Sequence, residues 1–135
     1  RSSTRSLSEV EKVISADELI ALKEEVEEVF VHNNIYAYIV KLMSSTRENP
    51  YIELGVSPRG TIACTRMVKA WAFLQGRNFV TPEDVEDVFV DVAKHRIVLN
   101  TKARVSHVTP EAVLKEILTG VKQPASYMER ADYRD

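Results

Sequence analysis

Three segments of this chain begin with the same signal, a hydroxyl side chain followed by proline. The signal is found at Ser57-Pro58, Thr81-Pro82 and Thr109-Pro110. A Ser or Thr side chain accepts a hydrogen bond from the free backbone N–H groups at the start of a helix. Proline fits the first helical position because its missing N–H would have no partner there. Apolar residues at spacings of three and four follow each signal, so the sequence predicts three helices with defined starts.

Two more helices are predicted in the first third of the chain. One runs from about Ser15 to Val29, and Ser15 followed three residues later by Glu18 is the pattern of a capping box. The next spans about Asn34 to Arg47, with Asn33 as its cap. The three helices that begin with proline are expected from Pro58 to about Gln75, from Pro82 toward residue 96, and from about Pro110 to Gly120.

Each predicted helix has one apolar face. In helix order, the expected core residues are Leu19, Leu22, Val26 and Val29; Ile35, Ile39, Leu42 and Met43; Ala63, Met67, Ala70, Trp71 and Leu74; Val85, Val88, Phe89 and Val92; and Val113, Leu114, Ile117 and Leu118. The short extended pieces Phe79-Val80 and Ile97-Val98-Leu99 are predicted to pair as a minimal two-stranded ribbon. Helices with one apolar face each indicate an all-α fold, a small bundle of four to five helices.

The amino-acid composition excludes further classes of fold and of functional site. The 135 residues suffice for one domain with a single core, and 44% apolar with 28% charged residues is typical of a globular protein. Only 4 glycines are present, too few for a many-stranded sandwich or a glycine-rich phosphate loop. The single Cys64 excludes a disulfide framework and suits a reducing compartment. No apolar run of about 18 residues is present, so no membrane span is expected.

The residues that most often bind metals or act as nucleophiles are scattered. His32, His95 and His107 lie far apart, with no helical spacing that would let two of them hold one metal ion, so no metal site is expected. His32 and His107 are expected at the surface near helix ends, and His95 is expected to be a C-cap cation of the fourth helix. Cys64 lies in mid-helix beside small residues, which favours a partly buried core position over a catalytic thiol.

Basic and aromatic residues of the third helix raise the question of nucleic-acid binding. Arg66, Lys69 and the following Arg77 are candidate phosphate contacts, but the net charge of −2 favours a solvated face instead. Trp71, Phe73 and Phe79 are candidates for base stacking, but Trp71 lies on the predicted apolar stripe, which favours core packing.

Arg59 departs from the usual charge pattern at the start of a helix. It occupies the second helical position, where a cation opposes the positive end of the helix dipole. In the same turn the fourth helix carries Glu83 and Asp84, and the fifth carries Glu111. A nearby anion such as a phosphate would be held by both the guanidinium group and the helix end. Two other readings stay open: an exposed side chain that bends away, or a pair with Glu53.

A family resemblance is carried by Gly55-Val56-Ser57-Pro58-Arg59, by Lys69-Ala70-Trp71-Ala72, by the block from Gly76-Arg77 to Thr81-Pro82-Glu83-Asp84-Val85, and by His95-Arg96-Ile97-Val98-Leu99. In combination these segments resemble the C-terminal lid of the MoxR family of AAA+ ATPases. The segments from Val13 to Leu19 and from Glu111 to Leu118 look like the start and the end of that lid. The match therefore covers about residues 10–121.

The resemblance implies a helical lid that closes over ATP bound mainly by a preceding α/β core. In that family the arginine of Ser-Pro-Arg is the sensor 2 residue, which reaches the γ-phosphate and couples the nucleotide state to the lid angle. Here the role would fall on Arg59, the expected catalytic residue. Ser57 and Pro58 would set the helix start that aims it, and Ile62 would lie near the adenine or ribose. These four are the expected cofactor-binding residues.

Other parts of such an ATP site are missing from the sequence. It has no Gly-x-x-x-x-Gly-Lys-Ser/Thr motif and no Asp-Glu pair after a strand, so it lacks a phosphate cradle, magnesium ligands and a catalytic acid. We therefore expect neither ATP hydrolysis nor tight nucleotide binding by this chain alone, with ATP and Mg²⁺ as cofactors of a longer protein. Residue 1 is Arg rather than Met, which favours a piece of such a protein.

The resemblance also implies partners and a domain division. The longer protein would be a cytoplasmic, chaperone-like ring, expected as a hexamer, whose lid contacts its own core and neighbouring subunits. Its protein partners would include von Willebrand factor A domain proteins. We expect a linker over residues 1–9, the lid over 10–121 and a polar tail over 122–135. The alternative is a free-standing helical module that binds protein or nucleic acid through the acidic first helix or the basic third helix.

Overall fold

Residues 14–125 are the part of the chain that the computed structural model describes, and they form six helices and two short strands. In chain order the elements are α1 Ala16–Glu27, α2 Asn33–Glu48, β1 Ile52–Leu54, α3 Pro58–Leu74, α4 Pro82–Ala93, β2 Val98–Leu99, α5 Thr101–Val105 and α6 Pro110–Gly120. The predicted all-α bundle is confirmed. Sequence periodicity missed α5, because five residues are too few to show a helical repeat. The predicted linker, Val13 and the end of the tail lie outside the described residues.

The hydroxyl caps form as predicted. The Oγ of Ser57 accepts a hydrogen bond from the Gly60 N–H at 3.2 Å, and Thr81 and Thr109 accept equivalent bonds at the starts of α4 and α6. Ser15 and Glu18 complete the predicted capping box of α1. Because each cap satisfies a backbone donor that would otherwise be free, the starts of these helices are fixed by local chemistry.

The start of α2 differs by one residue from the prediction. Asn33 is already the first helical residue, and His32 is the cap. The Nδ1 atom of His32 accepts a hydrogen bond from the Asn34 N–H at 3.0 Å. A neutral imidazole nitrogen is an acceptor, so histidine takes the place that the sequence had suggested for asparagine.

The core is centred on α2. The four predicted core residues of this helix, Ile35, Ile39, Leu42 and Met43, are fully buried. Most of the predicted stripes of α4 and α6 is also buried, namely Val85, Val88, Phe89, Val92, Val113, Leu114 and Ile117. Leu118 is half-buried at the edge of the α6 stripe. Since α2 contacts α3, α4 and α6, burial of its apolar stripe joins most of the bundle.

The core face of α3 is not the predicted one. Cys64, Val68 and Ala72 are buried, whereas Met67 is 52% exposed and Leu74 is 74% exposed. Trp71, also expected in the core, is 37% exposed, and its indole N–H donates to Asp87 Oδ2 at 3.1 Å. The helix has two adjacent apolar stripes and no acid, so periodicity did not decide between them. The stripe with smaller side chains faces inward because it lets α3 approach its neighbours closely.

The apolar stripe of α1 was also predicted to be buried, and this was wrong for most of it. Leu19 is 57% exposed, Leu22 is 39% exposed and Val26 is half-buried, although Val29, just beyond the helix, is buried. α1 contains no buried residue and lies beside α3, where Lys69 Nζ donates to the Glu27 carbonyl at 2.7 Å. Periodicity shows that a helix has an apolar face, but it does not show that the described residues cover that face.

A two-stranded ribbon is present, but its first strand is not the predicted one. β2 pairs antiparallel with β1, with Ile52 opposite Leu99 and Leu54 opposite Val98. Phe79, expected to pair with Ile97-Val98-Leu99, instead forms an isolated parallel bridge with Phe30. Strand pairing between distant segments depends on how the helices bring them together, and the sequence offered no turn signal that identified the partner.

A buried ion pair joins the end of α3 to the start of α4. Asp84 is 1% exposed, and its carboxylate accepts two hydrogen bonds from the Arg77 guanidinium, one of them at 2.6 Å. The same carboxylate accepts the Thr81 N–H at 2.8 Å, while Arg77 also donates to the Phe79 carbonyl at 3.2 Å. Arg77, considered above as a phosphate contact, is therefore a structural residue that fixes the turn between two helices.

None of the helices in residues 14–125 is long and apolar enough to cross a membrane. Residues 122–125 are the described part of the predicted tail. The side-chain amide of Gln123 donates to Glu86 Oε2 at 2.6 Å. The start of the tail is therefore hydrogen-bonded to α4.

We expect Arg77→Gln to lower the free energy of unfolding by about 3 kcal/mol, because it leaves the buried Asp84 carboxylate without its cation. Chemical denaturation of the chain measures this loss. Lys94→Gln is the control, because Lys94 meets Asp91 and Glu111 only at 3.7 and 3.8 Å and both carboxylates are exposed. It should cost less than about 1 kcal/mol. Equal losses in the two variants would contradict the structural importance of the Arg77 pair.

Candidate functional site

A groove of about 630 Å³ runs along the first turn of α3. It is lined by the end of α2, the connection from β1 to α3, the start of α3, and Arg96 in the connection after α4. The lining residues are Arg47, Glu53, Leu54, Gly55, Val56, Ser57, Arg59, Gly60, Ala63 and Arg96. Three guanidinium groups and one carboxylate therefore line the same groove.

Arg59 lines this groove, and its side chain is exposed. Within residues 14–125 no hydrogen bond or ion pair holds its guanidinium group, and the pair with Glu53 considered above does not form. Ser57 caps the helix and Pro58 occupies its first turn, which fixes the backbone from which Arg59 projects. The cation that opposes the helix dipole is thus free to bind an anion.

The connection before α3 is held firmly against α2. The backbone N–H of Val56 donates to Thr46 Oγ1 at 3.0 Å, and the Arg47 guanidinium donates to the Val56 carbonyl. A Cβ atom on Gly55 would lie 2.7 Å from the Arg47 Cα, so only glycine allows this approach. These contacts of Thr46 and Arg47 were not predictable from sequence, because they join segments about ten residues apart without a periodic pattern.

Gly60 is the second glycine with a steric role. A Cβ atom there would lie 2.6 Å from Val56 Cγ1 and 3.0 Å from Arg96 Cδ. Val56 is fully buried, so its methyl group has little room to move. Glycine inside a helix costs about 1 kcal/mol relative to alanine, and here it makes room for Val56 and Arg96 against the first turn of α3.

The four residues predicted to bind a cofactor are only partly brought together. Ser57 and Arg59 line the groove, whereas Pro58 and Ile62 do not. Ile62 is 55% exposed on α3 and offers an apolar surface beyond the groove. Arg96 also lines the groove, and no sequence pattern predicted this, because its approach to the start of α3 depends on long-range packing.

The remaining candidates have structural or surface roles. No group of three His, Cys, Asp or Glu side chains that could hold a metal ion is found among the described residues. His32 caps α2, and His107 has a positive φ of 58° in the connection before α6. Lys94 rather than His95 is the C-cap residue of α4, so the cap role expected for His95 falls one residue earlier.

Cys64 is fully buried on the inner face of α3. The partly buried core position expected for it is therefore completely buried. Burial raises the pKa of its thiol from 9.0 to about 11, and the positive charge of Arg96 offsets part of that rise. A thiol that stays protonated and has no access to solvent packs as a small apolar group and is a poor nucleophile.

Comparison with known proteins identifies relatives of this chain. The AAA lid domain family matches residues 44–117. YeaC of Bacillus subtilis, itself uncharacterized, is 36% identical over 115 residues, which are 85% of this chain and 36% of YeaC. The chaperone MoxR1 of Mycobacterium tuberculosis is 29% identical over 125 residues, which are 86% of this chain and 33% of MoxR1.

A crystal structure shows the same fold. It belongs to a Cytophaga hutchinsonii protein proposed to be an ATPase, and it matches with a TM-score of 0.70 and 31% sequence identity. The match covers 75% of this chain and 33% of that one. The chain thus spans about a third of the length of these relatives.

We expect Gly60→Ala to destabilise the chain by about 1–2 kcal/mol, because the added methyl group overlaps Val56 and displaces Arg96. Gly120→Ala is the matched control, since a Cβ atom there meets nothing within 4 Å in the last turn of α6. The control should leave stability unchanged or raise it by a few tenths of a kcal/mol to about 1 kcal/mol. Thermal or urea denaturation measures both. A stabilising Gly60→Ala change would show that the groove is not tightly packed.

We expect the Cys64 thiol of the native chain to react with iodoacetamide at pH 8 at least about a hundredfold more slowly than in urea. The raised pKa makes the thiolate scarcer, because a thiol with pKa about 11 is far less ionised at pH 8 than one with pKa 9.0. The rate should rise with pH until the pH exceeds the raised pKa. Mass spectrometry of the alkylated chain follows the reaction, and similar rates in buffer and urea would contradict the burial of Cys64.

Proposed function

The chain belongs to the AAA lid domain family and is the lid of a MoxR-family AAA+ ATPase, and on this basis we propose that it closes over ATP held by a P-loop core. In this proposal the core, outside the present sequence, supplies the phosphate cradle, the Mg²⁺ ligands and the catalytic acid. The lid supplies one cation, Arg59, as the sensor 2 residue. Closure of the lid then couples the nucleotide state to movement of a chaperone-like ring.

The observation that carries this proposal is the unpaired state of Arg59. It lies in the first turn of α3, where its charge is unfavourable, and no carboxylate within residues 14–125 compensates it. A cation in such a place is stabilised by an anion that the described residues do not provide. The γ-phosphate of ATP on a facing core has the required charge, and a guanidinium group binds phosphate oxygens through two parallel hydrogen bonds.

Ser57, Pro58 and Ile62 have supporting roles in the proposed site. Ser57 and Pro58 set the start of α3 and thereby the direction of Arg59. Ile62 lies about one turn further along with more than half of its side chain exposed. We assign it to an apolar contact with the adenine or ribose. ATP and Mg²⁺ are the cofactors of this site in the longer protein.

The exposed apolar residues support the proposed contacts with other domains. Leu19, Ile20 and Leu22 of α1 and Met67 and Leu74 of α3 are large apolar side chains exposed on the surface. Exposed apolar side chains that lie together mark surfaces that bind other proteins. We assign them to contacts with the core domain and with neighbouring subunits of a ring, expected as a hexamer. Von Willebrand factor A domain proteins are the proposed partners of that ring.

The lid itself is assigned to residues 10–121. Within the described range the helices end at Gly120, and the cap residue Val121 still donates to the Ile117 carbonyl. Residues 1–9 are assigned to the linker toward the core and residues 122–135 to the tail. A cytoplasmic location belongs to the same proposal.

We expect Arg59→Ala, made in the longer ATPase that carries this lid, to lower ATP turnover by at least about tenfold, because one charge-assisted contact to the γ-phosphate is lost. The lid should stay folded, since Arg59 is exposed and holds no other residue. Arg66→Ala is the matched control, the same change on the same helix at another exposed position. Steady-state ATPase assays together with circular dichroism provide the comparison. Normal turnover in Arg59→Ala would refute the sensor role.

A further inference from the structure

We propose that Arg96 is a second phosphate-binding residue of the ATP site and acts beside Arg59 at the terminal phosphate. This inference rests on the proposed function, because it places the phosphate in the groove that both side chains line. The ligand class is a nucleoside triphosphate. The proposal adds a contact from the far end of α4 to the contact made by the start of α3.

The position of Arg96 is the first observation. Its Cδ and Nε atoms lie close to the first turn of α3, since a Cβ atom on Gly60 would be 3.0 Å from the former and 3.6 Å from the latter. Gly60 follows Arg59 directly in the chain. The stem of Arg96 therefore crosses the helix beside the residue that carries the proposed sensor, and glycine provides the space for this crossing.

The free donors of Arg96 are the second observation. One guanidinium nitrogen donates to the Val92 carbonyl at 3.1 Å, which holds the side chain against the end of α4. No carboxylate pairs with Arg96 within residues 14–125, and the side chain is exposed. A guanidinium group has five N–H donors, so most of them remain available to a ligand.

The charge of the groove is the third observation. Its lining includes Arg47, Arg59 and Arg96 but only one carboxylate, that of Glu53. Arg47 is already engaged by the Val56 carbonyl and by Ser44. Arg59 and Arg96 are left as two like charges on one concave surface, in a chain whose net charge is −2. Two guanidinium groups without a carboxylate partner that line one groove repel each other unless an anion lies between them.

A purely structural role for Arg96 makes a different prediction. If it served only to cap the end of α4, its loss would lower stability without changing the preference for ATP over ADP. Arg104 offers a matched control for this role. It is an exposed arginine whose guanidinium donates to the backbone carbonyl of Leu99 at 2.6 Å, and it does not line the groove.

The experiment uses the longer ATPase that carries this lid. Dissociation constants for ATP and ADP are measured with fluorescent nucleotide analogues in the presence of Mg²⁺, together with kcat and KM. The variants are Arg96→Gln, Arg96→Lys, Arg104→Gln and Arg59→Gln. We expect Arg96→Gln to weaken ATP binding about tenfold and ADP binding less than threefold, because a charge-assisted contact to the terminal phosphate is lost. Arg96→Lys should lose less, and Arg104→Gln should bind both nucleotides as the parent does.

The outcomes separate this inference from the proposed function. If Arg59→Gln weakens ATP binding and Arg96→Gln does not, the role of Arg96 is overturned and that of Arg59 stands. If neither variant changes ATP binding, the role of Arg96 is overturned, and normal kcat in Arg59→Gln would overturn the sensor role as well. If Arg96→Gln lowers the thermal midpoint, the ratio of its dissociation constants for ATP and ADP decides, because a general loss of stability weakens the binding of both nucleotides alike. A selective loss of ATP binding supports the proposal, and an equal loss for ATP and ADP overturns it.

Discussion

The buried pair between Arg77 and Asp84 is the interaction on which the arrangement of this lid depends. Asp84 belongs to the first turn of α4 and Arg77 follows the last turn of α3, so one carboxylate fixes the angle between the two helices. The same carboxylate binds the backbone N–H of Thr81 and completes the cap of α4. The N–H of the preceding residue, Val80, donates to the Phe30 carbonyl and joins this turn to the segment before α2.

With one end of α3 fixed in this way, the other end is fixed by the connection before Ser57. Thr46 and Arg47 of α2 bind both backbone groups of Val56, one residue before the cap. α3 is therefore held at its start and at its end by hydrogen bonds to different helices. A force on Arg59 would be transmitted to α2 and α4 without bending of α3, because packed helices move as rigid bodies rather than deforming. This rigidity suits a domain whose proposed task is to convert a phosphate contact into movement.

Local chemistry made most of the fold predictable. The hydroxyl caps, the stripes of α2, α4 and α6, and the unusual place of Arg59 all depend on residues a few positions apart in sequence. Features that depend on long-range packing were not predictable. The inner face of α3, the partner of β2 and the approach of Arg96 to Gly60 are decided by how distant segments meet. α3 has two adjacent apolar stripes, and close packing against its neighbours selected the one that contains Cys64.

The uneven distribution of charge matters more for the site than the net charge does. The net charge of −2 argued against a general basic surface. That net charge nevertheless results from opposite local charges, an acidic α1 and a groove lined by three arginines. The acids of α1 and the groove arginines form no ion pairs in the described range. A field that is positive at one groove attracts a phosphate there and leaves the rest of the surface unattractive to nucleic acid. In the proposed site, the acids elsewhere on the chain would therefore contribute to the selectivity of Arg59 and Arg96 for a small anion.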